Sequence, residues 1–129
     1  MSIPTNLKYT ASHEWVRTET DGTVTIGITK HAEELLGDMV FVESPKEGRK
    51  LKVKEECAVV ESVKAAADIY APISGVVTES NSELDNAPET INSDPYSAWM
   101  FKMKPDNLDD MDSLMDADAY QKFVDEEAH

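Results

Sequence analysis

Short apolar runs and stretches of alternating apolar and polar residues extend through most of positions 1–104, and both patterns are typical of β-strands. Two of these runs flank Asp21-Gly22, a dipeptide that favours a tight hairpin turn. The recurrence of short strands between turn residues predicts a sandwich or a small barrel. The predicted strands are 14–18, 23–28, 38–43, 50–54, 57–62, 65–70, 75–79 and 99–104.

One helical pattern interrupts the strands. Thr29 is suited to the N-cap of this helix and Gly37 to its C-terminal end. The polar segment 80–94 predicts a short helix or loops. The residues predicted to form the apolar face of the first helix are Ala32, Leu35 and Leu36.

Residues 105–129 predict an acidic, helical tail. Seven Asp, two Glu and one Lys give this segment most of the chain's net charge of −14. The acidic side chains predict a solvated helical end, and docking of a partner remains an open alternative. Asp112 or Ser113 is suited to cap a short helix, and Asp116 a second one. The apolar residues predicted on these two helices are Leu114 with Met115, and Tyr120 with Phe123 and Val124.

The composition narrows the class of protein. A chain of 129 residues with 40% hydrophobic residues predicts one domain with a core. The negative charge opposes binding to nucleic-acid phosphates or to an anionic membrane surface, and no apolar run is long enough to cross a bilayer. The single Cys57 fits a reducing compartment, and positions 1–6 show no signal or transit pattern. We therefore expect a cytoplasmic protein.

The usual catalytic and metal-binding motifs do not occur in the sequence. His13, His31 and His129 have no partner at zinc-ligand spacing, so no metal site and no catalytic residue is predicted. His31 is expected to be exposed, and it has no assigned role. No glycine spacing matches a nucleotide-binding loop, and no serine nucleophile motif is present. The residues predicted to pack in the core are Cys57, Trp15 and Trp99.

Lys64 stands out because it lies between small or apolar neighbours at the turn between two predicted strands. An ordinary surface lysine is the simplest interpretation, but Glu61 and Asp68 flank the turn. This arrangement resembles the attachment hairpin of lipoyl and biotinyl domains, in which an enzyme acylates the turn lysine. Biotin hairpins typically carry methionine on both sides of that lysine. Val63 and Ala65 occupy those places here, which favours lipoate.

The resemblance extends over nearly the whole chain and narrows to the family of glycine cleavage H proteins. Several motifs occur in the same order as in that family. One departure is Ser97-Ala98, where the family usually carries a glycine, and it concerns only a loop. The matching segments are 8–9, 12–16, 24–29, 36–38, 40–43, 60–65, 71–75, 92–96 and Trp99.

The resemblance implies a mainly β fold, the lipoyl/biotinyl-type barrel-sandwich hybrid of two antiparallel sheets, with short helices and a C-terminal helical tail. A single lipoyl-carrier domain would span 1–129, divided into a β core at 1–104 and the acidic tail at 105–129. The protein would be a non-catalytic carrier with lipoate joined covalently to Lys64. It would shuttle the aminomethyl group from glycine decarboxylase to the aminomethyltransferase, and then the dithiol to dihydrolipoyl dehydrogenase. Lipoylating enzymes would be further partners.

The family's cleft positions, matched residue by residue, imply further site residues. Glu14 is the expected partner of the ammonium group of the cargo, with Ser12 and Asp68 assisting and Ile28 lining the cleft. Glu61 and Asp68 are also expected to be recognised by the lipoylating enzyme. For Glu14 and Asp68, the alternative interpretation is solvation at the surface or recognition by the lipoylating enzyme.

Two other functions remain open at this point. An H-like protein could serve as a lipoyl donor or relay for other enzymes, and neighbouring genes for glycine cleavage would argue against that role. A second alternative is an unmodified interaction module with a vestigial hairpin. The mass of the protein from lipoate-replete cells would separate that module from a carrier.

Overall fold

The structure, a computed structural model, describes residues 4–127, so the predictions for the first residues and for His129 lie outside the described part. None of the helices in residues 4–127 is long and apolar enough to span a bilayer. In chain order the strands are β1 (Lys8–Tyr9), β2 (Glu14–Thr18), β3 (Val24–Ile28), β4 (Met39–Glu43), β5 (Lys50–Leu51), β6 (Glu56–Ser62), β7 (Ala66–Tyr70), β8 (Gly75–Ser80) and β9 (Phe101–Pro105). The helices are α1 (Lys30–Leu36), α2 (Glu83–Asn86), α3 (Thr90–Ser93) and α4 (Ala117–Glu127), with a 3-10 helix at Leu108–Ser113.

Two antiparallel sheets enclose the core. The larger sheet has the strand order β1-β2-β3-β9-β8-β5, and the smaller one has the order β4-β6-β7. Apolar side chains from both sheets meet in one cluster, to which Ile26 contributes from the larger sheet and Val60 from the smaller. This arrangement confirms the predicted mainly β fold with two antiparallel sheets, short helices and a C-terminal helix.

The predicted hairpin of β2 and β3 is confirmed. Its strands pair in register from Glu14 opposite Ile28 to Thr18 opposite Val24. In the turn, Gly22 has a φ of 89°, a conformation that glycine adopts without strain. The register places the first residue of β2 beside the last residue of β3, next to the start of α1.

The ends of α1 lie where the sequence predicts them. The Thr29 hydroxyl accepts a hydrogen bond from the Ala32 amide, and the Gly37 amide donates to the Glu33 carbonyl. The predicted apolar face is wrong in one position, because the Leu35 side chain is 57% exposed. The face of α1 that packs against the core carries Ala32 and Leu36, and Leu35 lies on the exposed face.

The strand predicted at 50–54 is too long, because β5 ends at Leu51. Lys54 has a φ of 70°, which no regular strand contains, and its amide donates to the Ala71 carbonyl. The Glu55 carboxylate accepts from the Lys52 amide and closes a turn at this point. The alternating pattern therefore continues into a turn, where Val53 is half exposed.

The first helix predicted in the tail is also wrong. A 3-10 helix begins after Asn107, whose side chain accepts from the Asp109 amide, and it ends at Ser113. Met115 lies beyond it in a β-bridge with Tyr9, because their backbone groups exchange two hydrogen bonds. The second predicted helix is confirmed as α4, since Asp116 accepts from the Ala119 amide. The apolar residues of α4 pack as predicted, with Tyr120 fully buried and Phe123 and Val124 partly buried.

The predicted core residues differ in how deeply they are buried. Trp15 is fully buried and its indole N–H donates to the Pro95 carbonyl at 2.9 Å. Cys57 is buried, and this burial raises the pKa of its thiol to about 12. Trp99 is only partly buried, with the Lys102 ammonium 5.1 Å from its ring centroid. The indole of Trp15 also lies directly over Gly27, its partner on β3.

A side chain at Gly27 should therefore collide with the Trp15 indole. A Cβ atom at this position would lie 2.6 Å from the ring, which is closer than real Cβ atoms approach other atoms. We expect Gly27→Ala to lower the free energy of unfolding by about 1–3 kcal/mol, measured by urea denaturation. In a Trp15→Leu background the same change should cost much less, because the colliding ring is gone. An equal cost in both backgrounds would contradict this contact.

Candidate functional site

The turn between β6 and β7 presents Lys64 to solvent on a firmly hydrogen-bonded hairpin. The Ser62 amide donates to the Ala65 carbonyl at 2.7 Å. The Ser62 hydroxyl accepts from the Lys64 amide at 3.2 Å and from the Ala65 amide at 3.0 Å, so it satisfies both donors of the turn. Lys64 itself is exposed. The backbone is thus fixed while the amine remains accessible.

This turn is also attached to the rest of the fold. The Val63 amide donates to the Asp38 carbonyl at 3.0 Å, which links the hairpin to the connection between α1 and β4. The Lys64 side chain passes near Gly37, where a Cβ atom would lie 3.4 Å from its Cε atom. Two large apolar side chains are exposed here, Val63 in the turn itself and Phe41, which lies opposite Glu61 on the neighbouring strand.

Glu61 and Asp68 lie on the outer face of the same hairpin. Both are exposed, Glu61 opposite Ala66 and Asp68 opposite Val59. Because opposite and alternate residues of an antiparallel pair share a face, the two carboxylates are diagonal neighbours beneath the Lys64 turn. The structure therefore brings together the three charged residues that the sequence singled out in this segment.

A cavity of about 720 Å³ lies where the edge of β7 approaches the start of β2. Glu14 lies within its wall and is fully buried. The hydroxyls of Thr10 and Ser12 donate to its Oε1 atom at 2.5 and 2.7 Å, and the Tyr70 amide donates to its Oε2 atom at 3.3 Å. The rest of the wall is mainly apolar, although it also includes Lys54, which forms no ion pair with Glu14. Its apolar residues include Tyr9, Ala71, Pro72, Leu114, Met115 and Phe123.

The Glu14 carboxyl group has hydrogen-bond donors but no cationic partner among the ion pairs of the described residues. Burial raises its pKa above the ordinary value, and the hydrogen bonds from Ser12, Thr10 and Tyr70 oppose that rise. A cationic group that enters the cavity would therefore find a preoriented acceptor, and an ion pair with it would offset the cost of burying the carboxylate.

The other two residues expected in the cleft do not line this cavity. Ile28 is fully buried in the main core, opposite Glu14 on the neighbouring strand, so it supports the Glu14 backbone. Asp68 is exposed on β7, two residues before Tyr70 and on the same face. Since β7 is the edge strand of its sheet, it leads from the Lys64 turn past Asp68 to the cavity. At ~3.3 Å per residue, Ala66 and Tyr70 are about 13 Å apart.

Sequence reasoning missed several residues that the fold brings together. Thr10 and Tyr70 both donate to Glu14, and neither belongs to a recognisable motif. His13 and His31, which have no zinc-ligand spacing in the sequence, lie side by side with ring centroids 4.7 Å apart. The prediction that His31 is exposed is wrong, because its side chain is only 24% exposed. These contacts depend on how the strands pair and on where α4 packs against the sheets, and no local sequence pattern predicts either.

The chain is similar in sequence and in structure to known proteins of one family. A family model described as glycine cleavage H-protein matches residues 7–127. The glycine cleavage system H proteins of Nitrosospira multiformis and Thiobacillus denitrificans are 65% and 63% identical over 129 residues, which is 100% of each chain. A solved glycine cleavage system H protein from Mycobacterium marinum is 36% identical, with a TM-score of 0.84 over 98% of this chain and 100% of its own.

The Ser62 hydroxyl should be required for the rigidity of the lysine turn. We expect Ser62→Ala to accelerate amide hydrogen exchange at Lys64 and Ala65 about fivefold, the equivalent of one net hydrogen bond of ~1 kcal/mol. Ser62→Thr keeps the hydroxyl and should retain the slow exchange, and Ser113→Ala serves as a distant control. Unchanged exchange at both amides in Ser62→Ala would show that the hydroxyl does not hold the turn.

Proposed function

The chain belongs to the glycine cleavage H-protein family and serves as a carrier protein of the glycine cleavage system, and from that premise we propose that Lys64 bears the lipoyl group. The observation that carries the proposal is the hydrogen-bonded β6–β7 turn, which fixes the Lys64 backbone and exposes its amine. A modifying enzyme needs an accessible amine on a defined backbone. When bound, the lipoyl group would supply a dithiolane whose S–S bond opens reductively, so that one sulfur takes the aminomethyl cargo and the other becomes a thiol.

The surroundings of Lys64 fit such a group. An amide on the amine removes its positive charge, and the exposed apolar side chains nearby, such as Val63 and Phe41, suit an uncharged aliphatic arm. Tethering keeps the cargo at a high effective concentration for each enzyme of the system in turn. We propose that these enzymes are glycine decarboxylase, aminomethyltransferase and dihydrolipoyl dehydrogenase, and that the chain itself is not catalytic.

We assign Glu14 the task of holding the ammonium group of the cargo in the cavity. A carbon that bears both sulfur and an amine can expel thiolate whenever the nitrogen lone pair is free. An ammonium group that donates to a buried carboxylate keeps that lone pair occupied, and the apolar wall limits access of water. The burial of Glu14 and its lack of a cationic partner among the described residues support this assignment.

The other site residues take supporting roles in the proposal. Ser12 and Thr10 orient the Glu14 carboxylate, and Ile28 supports its strand from the core. Asp68 lies along β7 between the turn and the cavity, so it attracts the cargo on its way. Together with Glu61, it also forms an acidic surface beneath Lys64 that the lipoylating enzyme recognises.

The remaining predictions about the whole chain are part of the same proposal. The division into a β core at 1–104 and a tail at 105–129 stays a prediction, and the burial of Tyr120 supports a tail that packs on the core. The bacterial sources of the relatives support a cytoplasmic carrier. A role as lipoyl donor for other enzymes uses the same Lys64 hairpin and stays the alternative.

Lipoylation should depend on Lys64 alone. Intact mass spectrometry of the protein from lipoate-replete cells should show the addition of one lipoyl group, which Lys64→Arg abolishes. Lys46→Arg changes another exposed lysine and should keep the full addition. An addition that survives in Lys64→Arg would contradict the assignment, as would a parent protein without any addition.

Loss of the Glu14 charge should shorten the lifetime of the loaded form. We expect Glu14→Gln to be lipoylated normally but to release the aminomethyl cargo about tenfold faster or more, because a charge-assisted hydrogen bond is lost. The release of amine from loaded protein without the transferase gives the rate. Glu79→Gln, a change of an exposed carboxylate, is the matched control. Equal lifetimes for the parent and Glu14→Gln would overturn the role of Glu14.

A further inference from the structure

His13, His31 and Glu127 converge beside the cavity, at a place that the carrier function does not use. The Nε2 atom of His13 lies 3.0 Å and that of His31 3.2 Å from the same Oε1 atom of Glu127. One nitrogen or oxygen atom from each residue lies within 4.8 Å of the other two. Three side chains with metal-binding groups therefore point into a common space, although they come from distant parts of the sequence.

The backbone of His13 is held in an unusual conformation that sets the direction of its ring. Its φ is 70°, in the left-handed region that few residues other than glycine adopt. The His13 amide donates to the Thr10 carbonyl, and its own carbonyl accepts from the Thr29 amide. The β1–β2 turn, through Thr10, and the residue before α1, Thr29, thus hold His13 from both sides.

A hydrogen-bond relay fixes the orientation of the His13 ring. Its Nδ1 atom lies 2.8 Å from the hydroxyl of Tyr120, which in turn lies 2.7 Å from the Thr29 hydroxyl. Tyr120 is fully buried, so this relay belongs to the packed interior. An imidazole that binds a metal usually donates its second ring N–H to such a partner, which sets the tautomer and aims the free nitrogen.

When the His13 ring is neutral, the relay permits two arrangements of protons. In one, the Nε2–H group of His13 donates to Glu127, and the Tyr120 hydroxyl donates to Nδ1. In the other, Nδ1–H donates to Tyr120, and the Nε2 lone pair faces the Glu127 carboxylate. The second arrangement sets two acceptors against each other unless a cation lies between them.

We propose that His13, His31 and Glu127 form a binding site for a divalent transition-metal ion of the zinc class. Two imidazoles and one carboxylate are a ligand set that Zn²⁺ accepts, with a fourth position left for water. Tetrahedral bonds of 2.0–2.1 Å separate neighbouring ligand atoms by about 3.3 Å. The two nitrogen-to-oxygen separations of 3.0 and 3.2 Å are close to that value.

The ion would join three separate parts of the fold. His13 lies in the turn before β2, His31 in α1, and Glu127 in the last turn of α4. Phe123, one turn earlier in α4, lines the cavity, and the His13 ring lies 5.9 Å from it. Metal binding should therefore hold the C-terminal end of α4 beside the cavity and stabilise the packing of α4 against the rest of the fold. This inference does not depend on lipoylation of Lys64.

The test uses untagged protein in a Lys64→Arg, His129→Gln background. Lys64→Arg removes any lipoyl arm, whose dithiol would bind the metal ion. His129→Gln removes an imidazole that lies two residues after Glu127 in the sequence and would also bind it. Binding of Co²⁺ is followed by its visible absorption, and Zn²⁺ affinity is obtained by displacement of Co²⁺. Thermal unfolding with and without Zn²⁺ provides a second readout. The variants are His13→Asn, His31→Gln and Glu127→Gln, and Glu126→Gln is the control that changes the neighbouring carboxylate.

We expect one equivalent of Co²⁺ to bind with the intense absorption of a tetrahedral site, and Zn²⁺ to raise the unfolding temperature. Each of the three variants should weaken Zn²⁺ binding by about tenfold or more and abolish the thermal shift, while Glu126→Gln behaves like its parent. His31 and Glu127 are partly exposed, so their variants should remain folded. Absence of binding to the background protein would overturn the proposal, as would equal affinity in His31→Gln, Glu127→Gln and Glu126→Gln.

Discussion

The buried carboxylate of Glu14 is the constraint on which the arrangement of this molecule depends. A carboxylate removed from water is costly unless donors surround it, and three donors do so here: the Thr10 and Ser12 hydroxyls and the Tyr70 amide. The first two come from the turn before β2, and the third comes from the edge strand of the opposite sheet. Glu14 therefore connects the two sheets at the point where the cavity opens.

Much of the nearby geometry follows from this connection. The turn that brings Thr10 and Ser12 onto the carboxylate also places His13 at a φ of 70°, with its ring directed away from Glu14 toward α4. The buried hydroxyl of Tyr120 forms hydrogen bonds with the His13 ring and with the Thr29 hydroxyl, and these bonds hold the tail against the core. Lys64, the proposed attachment residue, lies beyond the opposite end of β7, on a turn that local hydrogen bonds from Ser62 close. The proposed sites for attachment and for protection of the cargo therefore lie at opposite ends of one strand.

The features that local chemistry determines could be predicted from the sequence. The Lys64 hairpin, the caps of α1 at Thr29 and Gly37, and the cap of α4 at Asp116 all depend on residues close to one another in the chain. Predictions failed where tertiary contacts override a local pattern. Leu35 fits the periodic apolar pattern of α1 but is exposed. The alternating pattern of residues 50–54 predicts a strand, but the chain turns at Lys54, whose amide donates to the Ala71 carbonyl.

The candidate site was predictable only in part, for the same reason. Family motifs singled out Glu14, Ser12 and Lys64, which the fold does place on the cavity wall and on the hairpin tip. The Tyr70 donor and the convergence of His13 with Glu127 arise between elements separated by 56 and 114 positions, so no spacing rule reveals them. Asp68 lies on the exposed face of β7, between the Lys64 turn and the cavity, and it does not line the cavity. Matching residues to family positions could not separate these two locations.

The central claim is that the loaded arm leaves the hairpin and places its ammonium group against Glu14. The most direct measurement compares backbone amide NMR spectra of the lipoylated protein with and without the aminomethyl cargo. The account predicts that loading shifts the amide signals of Thr10, Ser12, Glu14 and Tyr70, and that unloading by the transferase reverses these shifts. Shifts confined to residues 62–66, with an unchanged cavity, would contradict it.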